Sequence, residues 1–253
     1  MLTNNDQSAE AKRERIRQAQ AALRATGKSP RALGAENELK VVDWIYRWGW
    51  SGAGPINALL GRTSGGYAQR LVKKGLLRAT RTASGTPREF YTLTESGLEL
   101  ATRHTSRLHE YRELDPARVN QQQIRHYLLA QNYVASMLNR GSADDFRTER
   151  EQENRDQRGD KRPDAILLRE NTRIGVEIEL SAKFGRQLDE FVLRLHRALL
   201  GDAKTPPSLS LVVVASDSPA LLAQYFQTAC SLPAEDAAIL RQAVFTAEGE
   251  PFR

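Results

Sequence analysis

Residues 162–183 read RPDAILLRENTRIGVEIELSAK, and this stretch decides how the second half of the chain is interpreted. Two apolar runs separated by a polar turn predict two neighbouring β-strands. Side chains alternate along a strand, so Glu177 and Glu179 should share one face and their apolar neighbours the other. Asp164 stands at the head of the first strand. Carboxylates in such core-like segments are costly to bury unless a cation or a raised pKa offsets their charge. The stretch therefore predicts a charged site on a sheet.

A divalent cation is the simplest partner for these carboxylates. Asp164, Glu177 and Glu179 would supply the oxygen ligands that Mg²⁺ or Mn²⁺ prefers, and the two glutamate β-carbons should lie roughly 7 Å apart. No histidine stands beside these residues in the sequence, which disfavours zinc. If a helix begins near Ser181, Lys183 can fold back over the carboxylates and stabilise the charge of a phosphoryl transition state.

A fourth carboxylate comes from the segment FRTEREQENR. Glu149 is a further catalytic candidate at the end of a preceding strand. Glu151 competes for the role, because residues two apart in a strand point to the same face. The bland alternative is a solvated strand edge, with Glu177 and Glu179 exposed and Lys183 merely starting a helix. That alternative leaves Asp164 unexplained.

The elements around this stretch follow a recognisable order. A helix at about 122–139, a strand near Phe146, the two strands above, an amphipathic helix from about 184 to 199 and the apolar strand SLSLVVVAS give the order αβββαβ. This is the core order of a restriction-endonuclease-like α/β domain. Gln187 and Phe191 are expected to be helix surface and helix core.

The preceding segment has the pattern of a winged helix-turn-helix. A stripe of apolar residues from Glu36, a short helix started by Pro55, and a third helix capped by Thr63 or Ser64 and stopped by Gly75 precede two strands at 77–82 and 88–93. Thr94 should cap the next helix. The third helix would enter the major groove and the hairpin would follow the backbone. The residues predicted to face DNA are Arg62, Ser64, Tyr67, Gln69, Arg70, Lys73, Arg81 and Arg88. A winged helix can also serve as a protein-interaction module.

Charge supports the DNA-binding interpretation. The chain has 37 basic and 31 acidic residues, a net charge of +6. Residues 1–34 hold seven basic and three acidic side chains, and residues 61–91 hold seven and one. Concentrated positive charge is what binding to a phosphate backbone requires. We predict a basic flexible or helical arm at 1–35, which could instead pack on a neighbour, a winged helix at 36–112 and an α/β domain at 113–253, α+β overall.

Other classes are disfavoured by composition. No apolar run approaches the roughly 20 residues of a membrane span, and no secretory signal stands at the N-terminus, so a cytoplasmic protein without membrane insertion is expected. The one cysteine, Cys230, permits no intrachain disulfide and no thiolate metal cluster, and is expected to be a small buried residue.

These motifs carry a family resemblance. Pro163-Asp164, Glu177-Ile-Glu179 and Lys183 resemble the PD-(D/E)xK nuclease superfamily, although the usual lysine position holds Glu179 here. From about 36 to 215, a winged helix followed by TERE, RPDAILL and VEIELSAK resembles the replication-relaxation family, which includes MOBC-type plasmid mobilisation relaxases. The resemblance implies metal-dependent nicking of double-stranded DNA at a transfer origin, alongside relaxosome proteins and a coupling protein. The resemblance also implies catalytic roles for Glu149, Asp164, Glu177, Glu179 and Lys183.

Two other functions remain open from the sequence. The first is a non-catalytic, sequence-specific accessory or regulatory protein of plasmid mobilisation or replication. The second is a restriction or repair endonuclease that makes double-strand breaks.

Overall fold

The structure is a computed structural model that describes residues 14, 17, 21, 27–152, 162–181, 183–201, 206–216, 220 and 244–245. The chain divides into two compact units, Met1–Val41 and Val42–Arg253. Most of the predicted arm, Cys230 and nearly all of the segment after Ser216 lie outside the described residues. Among the described helices, none is long and apolar enough to span a membrane. The fold is mixed α/β with two sheets.

From residue 27 onwards, the described part of the first half contains four α-helices and a hairpin. They are α1 (Pro30–Trp48), α2 (Ala53–Leu59), α3 (Tyr67–Lys73), β1 (Leu77–Arg81), β2 (Glu89–Leu93) and α4 (Glu95–His104). The predicted hairpin strands are confirmed to within one residue. The predicted cap of α4 is also confirmed, because the Gly97 amide donates to Thr94 Oγ1 at 3.1 Å.

Two predicted helix starts are wrong. Helix α2 begins at Ala53, so Pro55 is its third residue. Helix α3 begins at Tyr67 after Gly66, whose φ of +96° is a left-handed conformation that a β-carbon would strain. Neither Thr63 nor Ser64 is its N-cap.

A single β-bridge joins the loop before α2 to the hairpin. Strands β1 and β2 pair antiparallel, with Leu77 opposite Leu93. Between α1 and α2, Ser51 forms a bridge to Tyr91: the Ser51 amide donates to the Tyr91 carbonyl at 3.0 Å, and the reverse bond is 2.8 Å. The loop between the first two helices is thereby tied to the edge of the hairpin.

The second half is built on a five-stranded sheet. Helix α5 (Ile124–Asn139) precedes β3 (Asp145–Thr148), β4 (Ala165–Arg169) and β5 (Thr172–Ile178), then come α6 (Arg186–Leu200), β6 (Leu211–Ala215) and β7 (Val244–Phe245). The strand order is β3-β4-β5-β6-β7. Strands β3, β4 and β5 are antiparallel, and β5, β6 and β7 are parallel.

Helix α6 covers one face of this sheet. Leu188, Phe191 and Leu195 pack with Ile166, Val212 and Val214 in a buried cluster. The condition set for Lys183, a helix that begins near Ser181, is not met, because the helix begins at Arg186 after Gly185, whose φ is +49°. A loop therefore separates the end of β5 from α6, and Lys183 lies in that loop.

The two halves of the Val42–Arg253 unit share a core. Trp50 and Phe90 pack with Val119 and Ile124. Buried Gln131 of α5 donates to the Trp50 carbonyl at 3.0 Å and accepts from the Ser51 hydroxyl at 2.7 Å. These contacts cross the boundary predicted at 112–113, so the hairpin region and the larger sheet are held by buried side chains as well as by the chain itself.

A partly buried arginine adds a second connection. Arg47, near the end of α1, donates to Glu151 Oε1 and Asp145 Oδ1 at 2.8 Å each and to the Phe146 carbonyl. Its guanidinium carbon lies 3.7 Å from the centroid of the Phe146 ring. The Glu151 side chain is only 1% exposed and that of Arg47 is 12% exposed, so this ion pair is largely buried.

Candidate functional site

Four of the five predicted catalytic residues line one cleft of about 430 Å³. We call it the carboxylate cleft, and the four are Asp164, Glu177, Glu179 and Lys183. Other polar side chains line it too: His126, Arg162, Gln187, Glu190 and Arg194. The three acidic side chains that were predicted to share one site therefore line one cleft.

Strand pairing places the acidic side chains at this edge. Ala165 pairs with Val176, so Asp164, one residue earlier, lies at the level of Glu177. The Ile178 amide donates to Asp164 Oδ2 at 2.7 Å and holds that carboxylate beside the end of β5. The Glu179 amide donates to the Ala215 carbonyl at 2.9 Å, which extends the pairing of β5 with β6 beyond Ile178. Glu179 therefore keeps the strand alternation that puts it on the side of Glu177.

Both glutamates are buried. Glu177 is 3% exposed and Glu179 is 5% exposed. The alternative of a solvated strand edge is therefore wrong. Lys183 donates to Glu179 Oε2, and its ammonium lies 4.7 Å from the Phe191 ring centroid. A buried carboxylate requires such compensation, because its desolvation is costly.

Sequence reasoning missed His126. Its Nε2 lies 3.0 Å from Asp164 Oδ1, and it belongs to the first turn of α5. No histidine is near the acidic residues in the sequence, but the fold brings His126 next to Asp164. Helix α5 lies against β4 and β5, and this packing brings its first turn to the strand ends. No periodicity or motif in the sequence signals that approach.

The donor chemistry of the cleft, with its three carboxylates, fits a hard divalent cation. Within the described ranges, no group of three or more His, Cys, Asp or Glu side chains is arranged to hold a metal ion. Mg²⁺ usually takes only one or two protein carboxylates and completes its octahedron with water and substrate phosphate oxygens. Glu177 and Glu179 are the residues that would hold it, with Asp164 beside them.

Glu149 is not brought together with the other four. It begins a short 3₁₀ turn, Glu149–Glu151, directly after β3, and lines a neighbouring cleft instead. Its Oε2 accepts a hydrogen bond from the Tyr127 hydroxyl at 2.9 Å. Its predicted competitor, Glu151, is the buried partner of Arg47. The local turn ends the strand alternation on which the prediction for Glu149 depended.

The predicted DNA-facing residues separate into two groups. Six are exposed: Arg62, Ser64, Arg70, Lys73, Arg81 and Arg88. Tyr67 is only 4% exposed and packs in the core, so the prediction that it faces DNA is wrong. The guanidinium carbon of Arg62 lies 5.1 Å from its ring centroid. Arg62 is the exposed member of this pair, and Tyr67 is the buried one.

Gln69 is engaged within the protein. Its amide nitrogen donates to Glu89 and to the Tyr91 hydroxyl, the latter at 3.3 Å. Burial, with help from Glu89, raises the pKa of Tyr91 to about 12, so this hydroxyl stays protonated and itself donates to Glu89 at 2.6 Å. The half-buried Gln69 thus joins α3 to the hairpin, which corrects its prediction as a DNA contact.

Comparisons with known proteins return no similarity: no family model, no curated protein and no solved structure matches this chain.

Proposed function

We propose that this protein binds double-stranded DNA and nicks it in a metal-dependent way, as a relaxase of the PD-(D/E)xK type at a plasmid or conjugative-element transfer origin. One observation carries the proposal. Asp164, Glu177, Glu179 and Lys183 line a single cleft, with both glutamates almost completely buried. Globular proteins rarely bury two neighbouring carboxylates unless these side chains serve a function.

The element order supports the nuclease interpretation. Helix, three antiparallel strands, helix and parallel strand follow one another from α5 to β6, and the acidic residues lie at the ends of β4 and β5. Two arginines, Arg162 and Arg194, line the same cleft. Guanidinium groups bind phosphate oxygens in a bidentate manner, so they would hold the scissile phosphodiester against the carboxylates.

The roles of the residues follow from their contacts. Glu177 and Glu179 would hold the cation, with Asp164 beside them. A bound Mg²⁺ or Mn²⁺ would polarise a phosphoryl oxygen and lower the pKa of a bound water. Lys183 neutralises Glu179 and would stabilise negative charge developing on the phosphate. Asp164, fixed by the Ile178 amide and His126, would orient the attacking water.

The first half supports duplex binding. Helix α2, helix α3 and the β1–β2 hairpin, with the Ser51 bridge at its edge, have the order of a winged helix. Arg70 and Lys73 are exposed on α3, and Arg81 and Arg88 flank the hairpin turn. In such modules this helix enters the major groove and the wing follows the backbone.

A second candidate is favoured by one observation. No three-ligand group is formed among the described residues, and Lys183 and His126 already pair with Glu179 and Asp164. Such pairs can compensate buried carboxylates without a metal. A non-catalytic DNA-binding protein of plasmid mobilisation or replication would have this arrangement.

The deciding experiment is incubation of the full chain with supercoiled plasmid that carries its own transfer origin, with Mg²⁺ or Mn²⁺. Open circular product supports the nicking proposal. Retarded but uncut plasmid supports the accessory protein, and linear product indicates a double-strand endonuclease. Plasmid without the origin is the control for site specificity.

Removing the two cations of α3 tests the duplex-binding surface. We expect the Arg70→Ala/Lys73→Ala variant to bind duplex at least about 10-fold more weakly. A variant that contacts fewer phosphates releases fewer counterions when it binds. The slope of log affinity against log salt should fall by about 0.9 for each lost contact. Fluorescence anisotropy over a salt series measures both quantities.

Arg103→Ala is the matched control, because Arg103 is an exposed arginine of α4 that pairs with Glu99. It should change duplex affinity less than 2-fold, as surface ion pairs contribute little. Equal losses in the α3 variant and in this control would contradict the assignment of α3 as the DNA-reading helix.

A further inference from the structure

The outward face of α6 carries apolar side chains that lie in solvent. Within the described residues four large apolar side chains are exposed, and three of them lie on or beside this helix. Leu193 is 49% exposed, Leu200 is 39% exposed, and Phe184, just before the helix, is 68% exposed. The opposite face of α6 is the one that packs on the sheet. A cluster of this kind on one helix face marks a surface for another protein.

The exposed residues of α6 have the spacing of a seam between two helices. Arg186, Asp189, Leu193, Arg197 and Leu200 are all exposed and follow one another at intervals of three or four residues. Residues so spaced lie along one side of a helix. We call these five residues the outer stripe. It has an apolar centre and an apolar C-terminal end, separated by charged side chains.

The charges of the outer stripe indicate the orientation of a second helix. Asp189 lies in the N-terminal half of α6 and Arg197 in the C-terminal half. Arg186 already pairs with Glu190 at 2.8 Å within the helix, whereas neither Asp189 nor Arg197 has an ion pair with another described residue. A parallel copy would place like charges side by side. An antiparallel copy places the acidic half of one helix against the basic half of the other.

Leu193 sets the register of such an antiparallel pair. With Leu193 on the two-fold axis, Asp189 lies at the level of Arg197 of the second copy, and this contact occurs twice. Arg186 then lies opposite Leu200 of the second copy, which its aliphatic stem can cover. Phe184 reaches the same leucine from the loop. The surface is therefore complementary to itself, both in apolar contacts and in charge.

We propose that the outer stripe of α6 is a homodimer interface, in which α6 packs antiparallel against α6 of a second copy of this chain. The helix has 15 residues and is about 22 Å long. One such helix pair buries less surface than the roughly 1,200 Å² of stable complexes, so the dimer has a dissociation constant of about 10 to 100 µM. Self-association does not rest on the proposed function, because it requires neither DNA nor metal.

The dimer has a consequence for the carboxylate cleft. Gln187, Glu190 and Arg194 line this cleft, and all three lie to one side of the outer stripe. A two-fold axis perpendicular to both helices keeps that side of α6 on the same side of the dimer in both copies. The two carboxylate clefts therefore lie on one side of the dimer, where a single duplex could contact both.

Replacing the central leucine tests the interface. The mass of the full chain is measured by sedimentation equilibrium in EDTA and without DNA, from about 1 to 200 µM, a range that includes the expected dissociation constant. Leu193→Asp should weaken the dimer at least about 10-fold, because it places two carboxylates together on the axis. Leu108→Asp is the matched control, since Leu108 is 77% exposed and lies outside α6. It should change the dissociation constant less than about 2-fold.

Reversing the charges tests the antiparallel orientation. Arg197→Glu should weaken the dimer about 5-fold or more, since it places a glutamate at the level of Asp189 in both contacts. The double variant Asp189→Arg/Arg197→Glu should restore the wild-type affinity, because each contact again joins opposite charges. In a parallel pair the double variant would still oppose like charges and would restore nothing. All substituted side chains are exposed, so thermal unfolding should match that of the wild type.

The outcomes are independent of the nicking proposal. A dimer that Leu193→Asp disrupts, Leu108→Asp leaves intact and the double charge reversal restores supports the interface, whether or not plasmid is nicked. A chain that stays monomeric over the whole concentration range overturns the inference. Self-association that Leu193→Asp and Leu108→Asp affect equally also overturns it, and failure of the double variant to restore affinity overturns the antiparallel register.

Discussion

Glu177→Gln is expected to reduce plasmid nicking at least about 10³-fold, the largest effect on activity of any single substitution in the carboxylate cleft. Glu177 is 3% exposed and follows the buried Val176 in β5. Glutamine keeps its shape and removes the negative charge that a cation requires. The rate of conversion of supercoiled to open circular plasmid measures the effect, and duplex affinity should remain unchanged.

Glu190→Gln provides the control for this substitution. Glu190 lines the same cleft from α6, but its side chain is 45% exposed and pairs with Arg186. Its replacement should alter the nicking rate only a few-fold, because an exposed charge is screened by water. If Glu177→Gln nicks as fast as Glu190→Gln, the cleft is not the catalytic centre. That result would support a non-catalytic accessory protein.

Arg47→Ala is expected to lower the free energy of unfolding by about 3 kcal/mol or more, because it leaves a buried carboxylate without its cation. Glu151 is 1% exposed and keeps hydrogen bonds from the Thr148 amide and hydroxyl, at 2.8 and 3.1 Å. These bonds do not replace a positive charge. Chemical denaturation, with a constant denaturant slope as the check on two-state unfolding, measures the loss.

A double variant separates the stranded charge from lost packing. Arg47→Met/Glu151→Gln removes both charges, so it should recover much of the stability lost in Arg47→Ala. Arg186→Ala is the control on an exposed pair, since the Arg186 side chain is 91% exposed, and it should change stability by no more than about 0.5 kcal/mol. A loss in Arg47→Ala as small as in this control would show that the buried pair does not hold α1 to β3.

The local sequence pattern was sufficient to predict most of the helices and strands. The hairpin strands, the Thr94 cap, the Gly75 stop and helix α5 follow from rules that act within a few residues, and the structure has them near the predicted positions. The helix starts at Ala53, Tyr67 and Arg186 were less predictable. Each depends on how a short loop turns, and two of the three follow a glycine with positive φ.

The carboxylates could be predicted because strand alternation is itself local. A period of two puts Glu177 and Glu179 on one side of β5, and the antiparallel turn at residues 170–171 returns Asp164 to the same level. The sequence by itself therefore determined these strands and the acidic cluster at the end of the sheet.

Only the tertiary structure decided which other groups meet those carboxylates. His126 reaches Asp164 because α5 packs against the sheet, and Arg162 lines both the carboxylate cleft and the neighbouring cleft that Glu149 lines. Tyr67 is buried, Gln69 is hydrogen-bonded to the hairpin, and Glu149 points away from the cleft for the same reason. Burial and long-range contact are set by the packing of whole elements, which the periodicity of any one segment does not contain.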